Sequence, residues 1–109
     1  METIKKKESL KLKDIKETAE YIKDQIDIIN IQILGILQER EFSLQEMSTI
    51  DKGTIKYYSY SNYLKEKRQE YGILKARRRE LLLLLGKIEP QYIDKSLIQV
   101  SYVLDLIGW

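Results

Sequence analysis

Residues 12–37, LKDIKETAEYIKDQIDIINIQILGIL, decide the architecture of this chain. Leu12, Ile15, Ala19, Ile22, Ile26, Ile29, Ile33 and Ile36 recur at alternating spacings of three and four, the a/d pattern of a heptad. Isoleucine favours strand, but a period held over this length outweighs that preference. One helix is therefore expected from about residue 10 to 47. Within it, Ile28, Ile31, Leu34 and Leu37 make the opposite face apolar as well. A helix that is apolar nearly all round needs more than one neighbour to bury it.

Outward from this stripe, Ser48-Thr49-Ile50-Asp51-Lys52-Gly53 breaks the pattern and supplies the turn, set at residues 48–56. A second stripe follows through Tyr60, Leu64, Lys67, Tyr71, Leu74, Arg78, Leu81, Leu85 and Ile88. It predicts a helix over about 57–86, with Gly86 as the residue that ends it. Glu89-Pro90 reads as a restart, with proline in the first turn. A third helix over about 90–107 then presents Ile93, Leu97, Val100, Leu104 and Ile107. The expected fold is all-α: a single domain made of a long, coiled-coil-like antiparallel hairpin and a shorter C-terminal helix. Antiparallel pairing about residue 53 makes facing residue numbers sum to roughly 105–107. That register sets Gly35 opposite Gly72 for a close approach, Asp24 and Asp27 opposite Arg77–Arg79, and Glu39 and Glu41 near Lys65 and Lys67. A hairpin buries one seam only, so the surplus apolar face calls for a homodimer or larger helical bundle, with a monomeric three-helix bundle as the alternative.

Composition narrows the function classes. The chain has 109 residues, 43% hydrophobic and 33% charged, enough apolar content to exclude a disordered tail. Its longest purely apolar run, Leu81–Leu85, is far short of the ~20 residues that span a membrane. With no cysteine there is no disulfide framework, and with no histidine the commonest general base and metal ligand are both missing. No catalytic residue, metal ligand or cofactor site is assigned. A net charge of +2 gives no general pull toward nucleic acid. Met-Glu-Thr-Ile before Lys5-Lys6-Lys7 is not a secretory signal, so a cytoplasmic protein is expected, or one exported without such a signal. The three lysines read as a solvated tail with weak affinity for acidic partners. The Lys-, Ile- and Tyr-rich, Ala-poor composition fits an AT-rich bacterial or phage genome.

Four of the eight tyrosines fall in residues 56–63, followed by Lys65, Lys67 and Arg68. Tyr57, Tyr58, Tyr60 and Tyr63 suit a protein-binding surface, since tyrosine offers large area, few rotors and a polar tip. Tyr60 and Tyr63 serve equally as seam residues of the second helix. Lys65, Arg68, Arg77, Arg79 and the lone tryptophan, Trp109, complete the candidate partner-binding set. The function expected is that of a non-enzymatic interaction module of the regulator, inhibitor, adaptor or secretion-partner kind. The alternative is a nucleic-acid-binding helical dimer using Arg77–Arg79 and segment 56–68.

Residues 22–40, IKDQIDIINIQILGILQER, also resemble the first helix of the all-helical chorismate mutases, roughly L-R-x-x-I-D-x-I-D-x-x-I-L-x-L-L-x-x-R. The resemblance implies a substrate-carboxylate arginine at Arg40. It places Lys23 where that family has another arginine, and Asn30 where it has an aspartate. Lys52, Lys65-Glu66 and Gln99 stand as its other counterparts. The likeness covers under a fifth of the chain.

Overall fold

The computed structural model describes the backbone of residues 2–88 and 95–109, with side chains from Asp14 onward. It holds three helices: α1 (Glu2–Met47), α2 (Ile55–Ile88) and α3 (Lys95–Ile107). α1 and α2 pack side by side, and α3 lies mainly on α1. α3 runs parallel to α1, because Asn30 meets Ser101 and Arg40 meets Gly108. The molecule is a rod of 77 × 21 × 15 Å with a radius of gyration of 20.2 Å. A compact chain of this length would have a radius near 13 Å.

The turn is built by hydroxyls. Thr54 caps α2: its side chain accepts from the Tyr57 N–H at 3.3 Å and donates to the Asp51 carbonyl at 2.8 Å. This cap starts α2 at Ile55, two residues before the expected position. At its other end α2 continues through Gly86 to Ile88, so Gly86 does not end the helix. α1 likewise begins well before residue 10. The Pro90 restart and Ile93 lie outside the described residues, as do the side chains of Lys5–Lys7.

The α1 stripe faces inward as expected: Ala19, Ile22, Ile26, Ile29, Ile33 and Ile36 are all buried. One cluster joins Ile29, Ile33, Ile36 and Leu37 to Tyr71 and Leu104. Another joins Ala19, Ile22 and Ile26 to Leu85 and Leu97. Lys67 pairs with Glu39 at 3.7 Å, which fits the antiparallel register.

Three expectations about the seam are overturned. A Cβ added at Gly35 or Gly72 would meet nothing within 4 Å, so neither glycine serves a close approach between α1 and α2. No ion pair joins Asp24 or Asp27 to the arginines of α2 among the described residues. Instead Arg78, only 2% exposed, donates to Asn30 Oδ1 at 3.0 Å and pairs with Asp105 of α3. The α3 stripe is also turned. Leu97, Ser101 and Leu104 face inward, while Val100 and Ile107 are 49% and 59% exposed. The cause is polar: Asn30 Nδ2 donates to Ser101 Oγ at 3.0 Å, and the Ser101 hydroxyl donates to the Leu97 carbonyl at 2.9 Å. A buried arginine and asparagine must find partners, and α3 rolls to provide them.

Asp105→Ala should strip Arg78 of its counter-charge. A fully buried pair broken this way costs ~3–5 kcal/mol. Asp105 keeps 40% exposure, so a loss of about 2 kcal/mol is expected in urea denaturation at fixed protein concentration. Adding Arg78→Met to that variant should restore most of the loss. Among the described residues the buried Tyr71 hydroxyl has no hydrogen-bond partner. Tyr71→Phe should therefore be neutral or stabilising by up to ~1 kcal/mol in the same assay.

Candidate functional site

Beyond the end of α3 the rod is only two helices thick. There α1 and α2 form a groove of about 650 Å³ on one side of their seam. Gln38, Glu39 and Phe42 of α1 face Lys56, Tyr60 and Tyr63 of α2, with Ser43 and Ser59 completing the walls. The helical repeat explains the grouping. Residues 56, 60 and 63 share one flank of α2, as do 38, 39 and 42 on α1. The lining is largely apolar, with Glu39 on one lip and Lys56 on the other. The Tyr63 hydroxyl donates to Glu39 Oε2 at 2.6 Å, and the Lys67 ammonium lies 5.5 Å from the Tyr63 ring centroid. The hydrogen bond to the Glu39 carboxylate holds the Tyr63 phenol above the usual tyrosine range. Lys67 is likewise raised, first through its hydrogen bond to Glu70.

On the other side of the same seam, Arg40, Lys65 and Arg68 converge on a cleft of about 200 Å³ floored by Leu44, Leu64 and Trp109. Trp109 is folded onto the core. Its ring lies 6.2 Å from that of Tyr71 at a tilt of 47°, and the Arg40 guanidinium sits 5.3 Å from its centroid. Arg40 Nη1 also donates to the Gly108 carbonyl at 2.8 Å. Gly108 closes α3 in the left-handed region at φ 59°, with its N–H on the Leu104 carbonyl at 3.0 Å. A side chain there would be strained, and its Cβ would come within 3.1 Å of the Asp105 carbonyl. This cap turns the chain so that Trp109 meets Arg40.

The candidate residues therefore separate into groups. Tyr60 and Tyr63 line the tip groove. Lys65, Arg68 and Trp109 share the basic cleft with Arg40. Arg79 borders a third hollow, of about 840 Å³, beside Arg78 and Asp105. Tyr58 and Arg77 are exposed and line none of these hollows, and Tyr57 is half-buried outside them. Arg77 and Arg79 project about 200° apart around α2, so they form no single patch. Phe42 and Gln38 escaped the sequence reading, since nothing in a helical stripe marks which exposed apolar residue borders a splayed seam. Of the positions the mutase resemblance implies, Arg40 and Lys65 come together. Lys52 lies in the turn, Gln99 is exposed on α3, and Asn30 is held inside the core. No protein-family model, curated protein or solved structure matches the chain. No helix of the described residues is long and apolar enough to cross a membrane.

Because its folded pKa is raised, Tyr63 contributes stability that is complete below the ordinary tyrosine value of 10.0 and is lost as pH rises through the raised value. Glu39→Gln should move that ionisation down toward the ordinary value. Ultraviolet titration of this variant against Tyr63→Phe isolates the one phenol among eight. Trp109, as the sole tryptophan, should emit as a shielded indole, and Arg40→Ala should shift its emission to the red and raise its quenching by acrylamide.

Proposed function

We propose that this chain is a non-enzymatic protein–protein interaction module that presents a helical surface to another protein. The observation that carries this reading is the groove at the hairpin tip. It is apolar along its floor, bordered by two tyrosines and a phenylalanine, and edged by one acidic and one basic group. Aromatic anchors set in a concave, mostly apolar site are the features that dominate protein recognition. An amphipathic helix or extended segment of a partner fits such a seam, with apolar side chains on Phe42 and Tyr60 and polar groups reaching Lys56 and Glu39. A small regulator, inhibitor, adaptor or secretion partner works in this way, by occupying a surface rather than by chemistry.

The nucleic-acid reading keeps one supporting observation, the convergence of Arg40, Lys65 and Arg68 around Trp109. Against it, Arg78 is committed to the core and its two neighbours diverge. A mobility shift on DNA or RNA at low salt, lost steeply as salt is raised, would favour that reading. Turnover of chorismate by the purified chain is the direct test of the mutase-like alternative.

A photo-crosslinker placed at Tyr60 should yield a discrete adduct with one protein in extracts of the native host. Phe42→Ala on that background should reduce the adduct at least about tenfold, the loss of ~1.4 kcal/mol expected at minimum from an interface anchor. The same crosslinker at Ile73, on the outer face of α2, should give no such adduct. Equal labelling from both positions would remove the groove from the proposal.

A further inference from the structure

Between Ile28 and Gln38 the long α1 carries no charged residue, although its remaining length is dense in lysine, aspartate and glutamate. α3 carries none between Ser96 and Leu104. The fold lays these two stretches against each other, through Asn30 and Ser101 and through the packing of Leu104 against Ile29, Ile33, Ile36 and Leu37. On the α1–α3 side the middle of the rod is therefore an uncharged band, while the facing part of α2 carries Arg68, Glu70, Lys75 and Arg77–Arg79. Much of that band is open: Ile28, Ile31, Leu34, Val100, Val103 and Ile107 are between 43% and 63% exposed. Asp105 turns to Arg78 of α2. Val100, Val103 and Ile107 lie about 140–160° from it around α3, on the side away from α2. On α1, Leu34 and Ile31 lie about 40° and 100° round from Asn30, on the flank away from the Ile29–Ile36 seam. Leu34 and Ile31 of α1 thus share one side of the molecule with Val100, Val103 and Ile107 of α3, with Ile28 at the edge of that side. Ile98, Tyr102 and Leu106 are exposed on the flank of α3 toward Asp105.

We infer that this band is the interface between two copies of the chain. Its area supports the assignment. A folded monomer of 13.0 kDa exposes about 6,300 Å². This chain exposes 8466 Å², about 2,100 Å² more than that monomer expectation. An obligate homodimer interface starts at about 2,000 Å² in total, or about 1,000 Å² on each copy, which this excess can supply. Its charge pattern supports it too, since interface cores are depleted in charge and rims are not. With a two-fold axis passing between the two α1 helices at the level of Ile31, the helices run antiparallel and facing residues follow directly. Ile31 meets its own copy, Ile28 meets Leu34, Asp24 faces Gln38 and Asp27 faces Gly35. No acid opposes an acid. Gly35, where an added Cβ would meet nothing within 4 Å among the described residues, gains a use as the gap that admits Asp27. α1 and α3 of both copies form the inner four helices, and both α2 helices lie outside. This face shares only Gln38 with the tip groove, and sedimentation reads the dimer while crosslinking reads the groove, so either proposal can fail without the other.

Sedimentation equilibrium of the full chain should give twice 13.0 kDa. Ile31→Glu combined with Val103→Glu should weaken the dimer at least about a hundredfold, because charge would be buried without a partner. Ile73→Glu on the outer face of α2 should leave it intact. The chain has no cysteine, which allows a second measurement that does not depend on how the glutamate variant folds. Ile31→Cys should form a disulfide-linked dimer under mild oxidation, and Lys52→Cys, at the turn, should not. A wild-type chain that sediments as a monomer overturns the inference, whatever host protein the band then captures. So does a dimer that survives both glutamates, or one that crosslinks equally at residues 31 and 52.

Discussion

The three helices are held in one arrangement by a single buried cation. Arg78 sits on the seam of α2 with almost no exposure, and its guanidinium must be satisfied where it lies. Asn30 from α1 and Asp105 from α3 accept from it, and Ser101 joins Asn30 to the same network. Each helix thus contributes at least one member. Apolar contacts between smooth isoleucine and leucine stripes tolerate sliding by a heptad. A four-residue polar network does not, since any slip strands a charged or amide group without a partner.

The roll of α3 follows from that network and has a further consequence. Turning Ser101 inward lifts Val100 and Ile107 outward. The helix that would have covered the surplus apolar face of α1 covers Leu37 and Asn30, leaves Ile28, Ile31 and Leu34 open, and adds its own exposed flank. Polar satisfaction inside the subunit and apolar exposure outside it have the same cause. The rod shape adds to this, because a chain drawn out to 77 Å has few places to hide surface.

The surface of the rod changes along its length. On the α1–α3 side its middle is uncharged and apolar, while its tip combines tyrosines, a phenylalanine and opposed charges around a splayed seam. Between them, the Gly108 cap sets Trp109 under Arg40, so the C-terminal turn marks where three helices become two. The tyrosine-rich segment stood out in the sequence by its composition. Only Tyr60 and Tyr63 line the tip groove, because a helix distributes neighbouring residues around its axis and a seam faces one direction.

Much of the fold was legible from residue spacing alone. The isoleucine stripe of α1 and the mixed stripe of α2 face inward as their periods require, and the pairing of Glu39 with Lys67 follows from the length of the turn. Thr54 as the cap of α2 follows the preference of helix N-termini for hydroxyl residues, and the structure supplies its partner, the Tyr57 N–H. What periodicity could not show was which polar residues the seam would enclose. Asn30, Ser101 and Asp105 look like ordinary interruptions of an apolar pattern, and Arg78 like a residue awaiting an acid across the hairpin. Their meeting depends on three segments far apart in the chain, as does the roll of α3 and the surface it exposes. Spacing is a local property and specifies each helix by itself. The angle at which a third helix settles is decided by the unmet hydrogen bonds of the other two, and that exists only once they have packed.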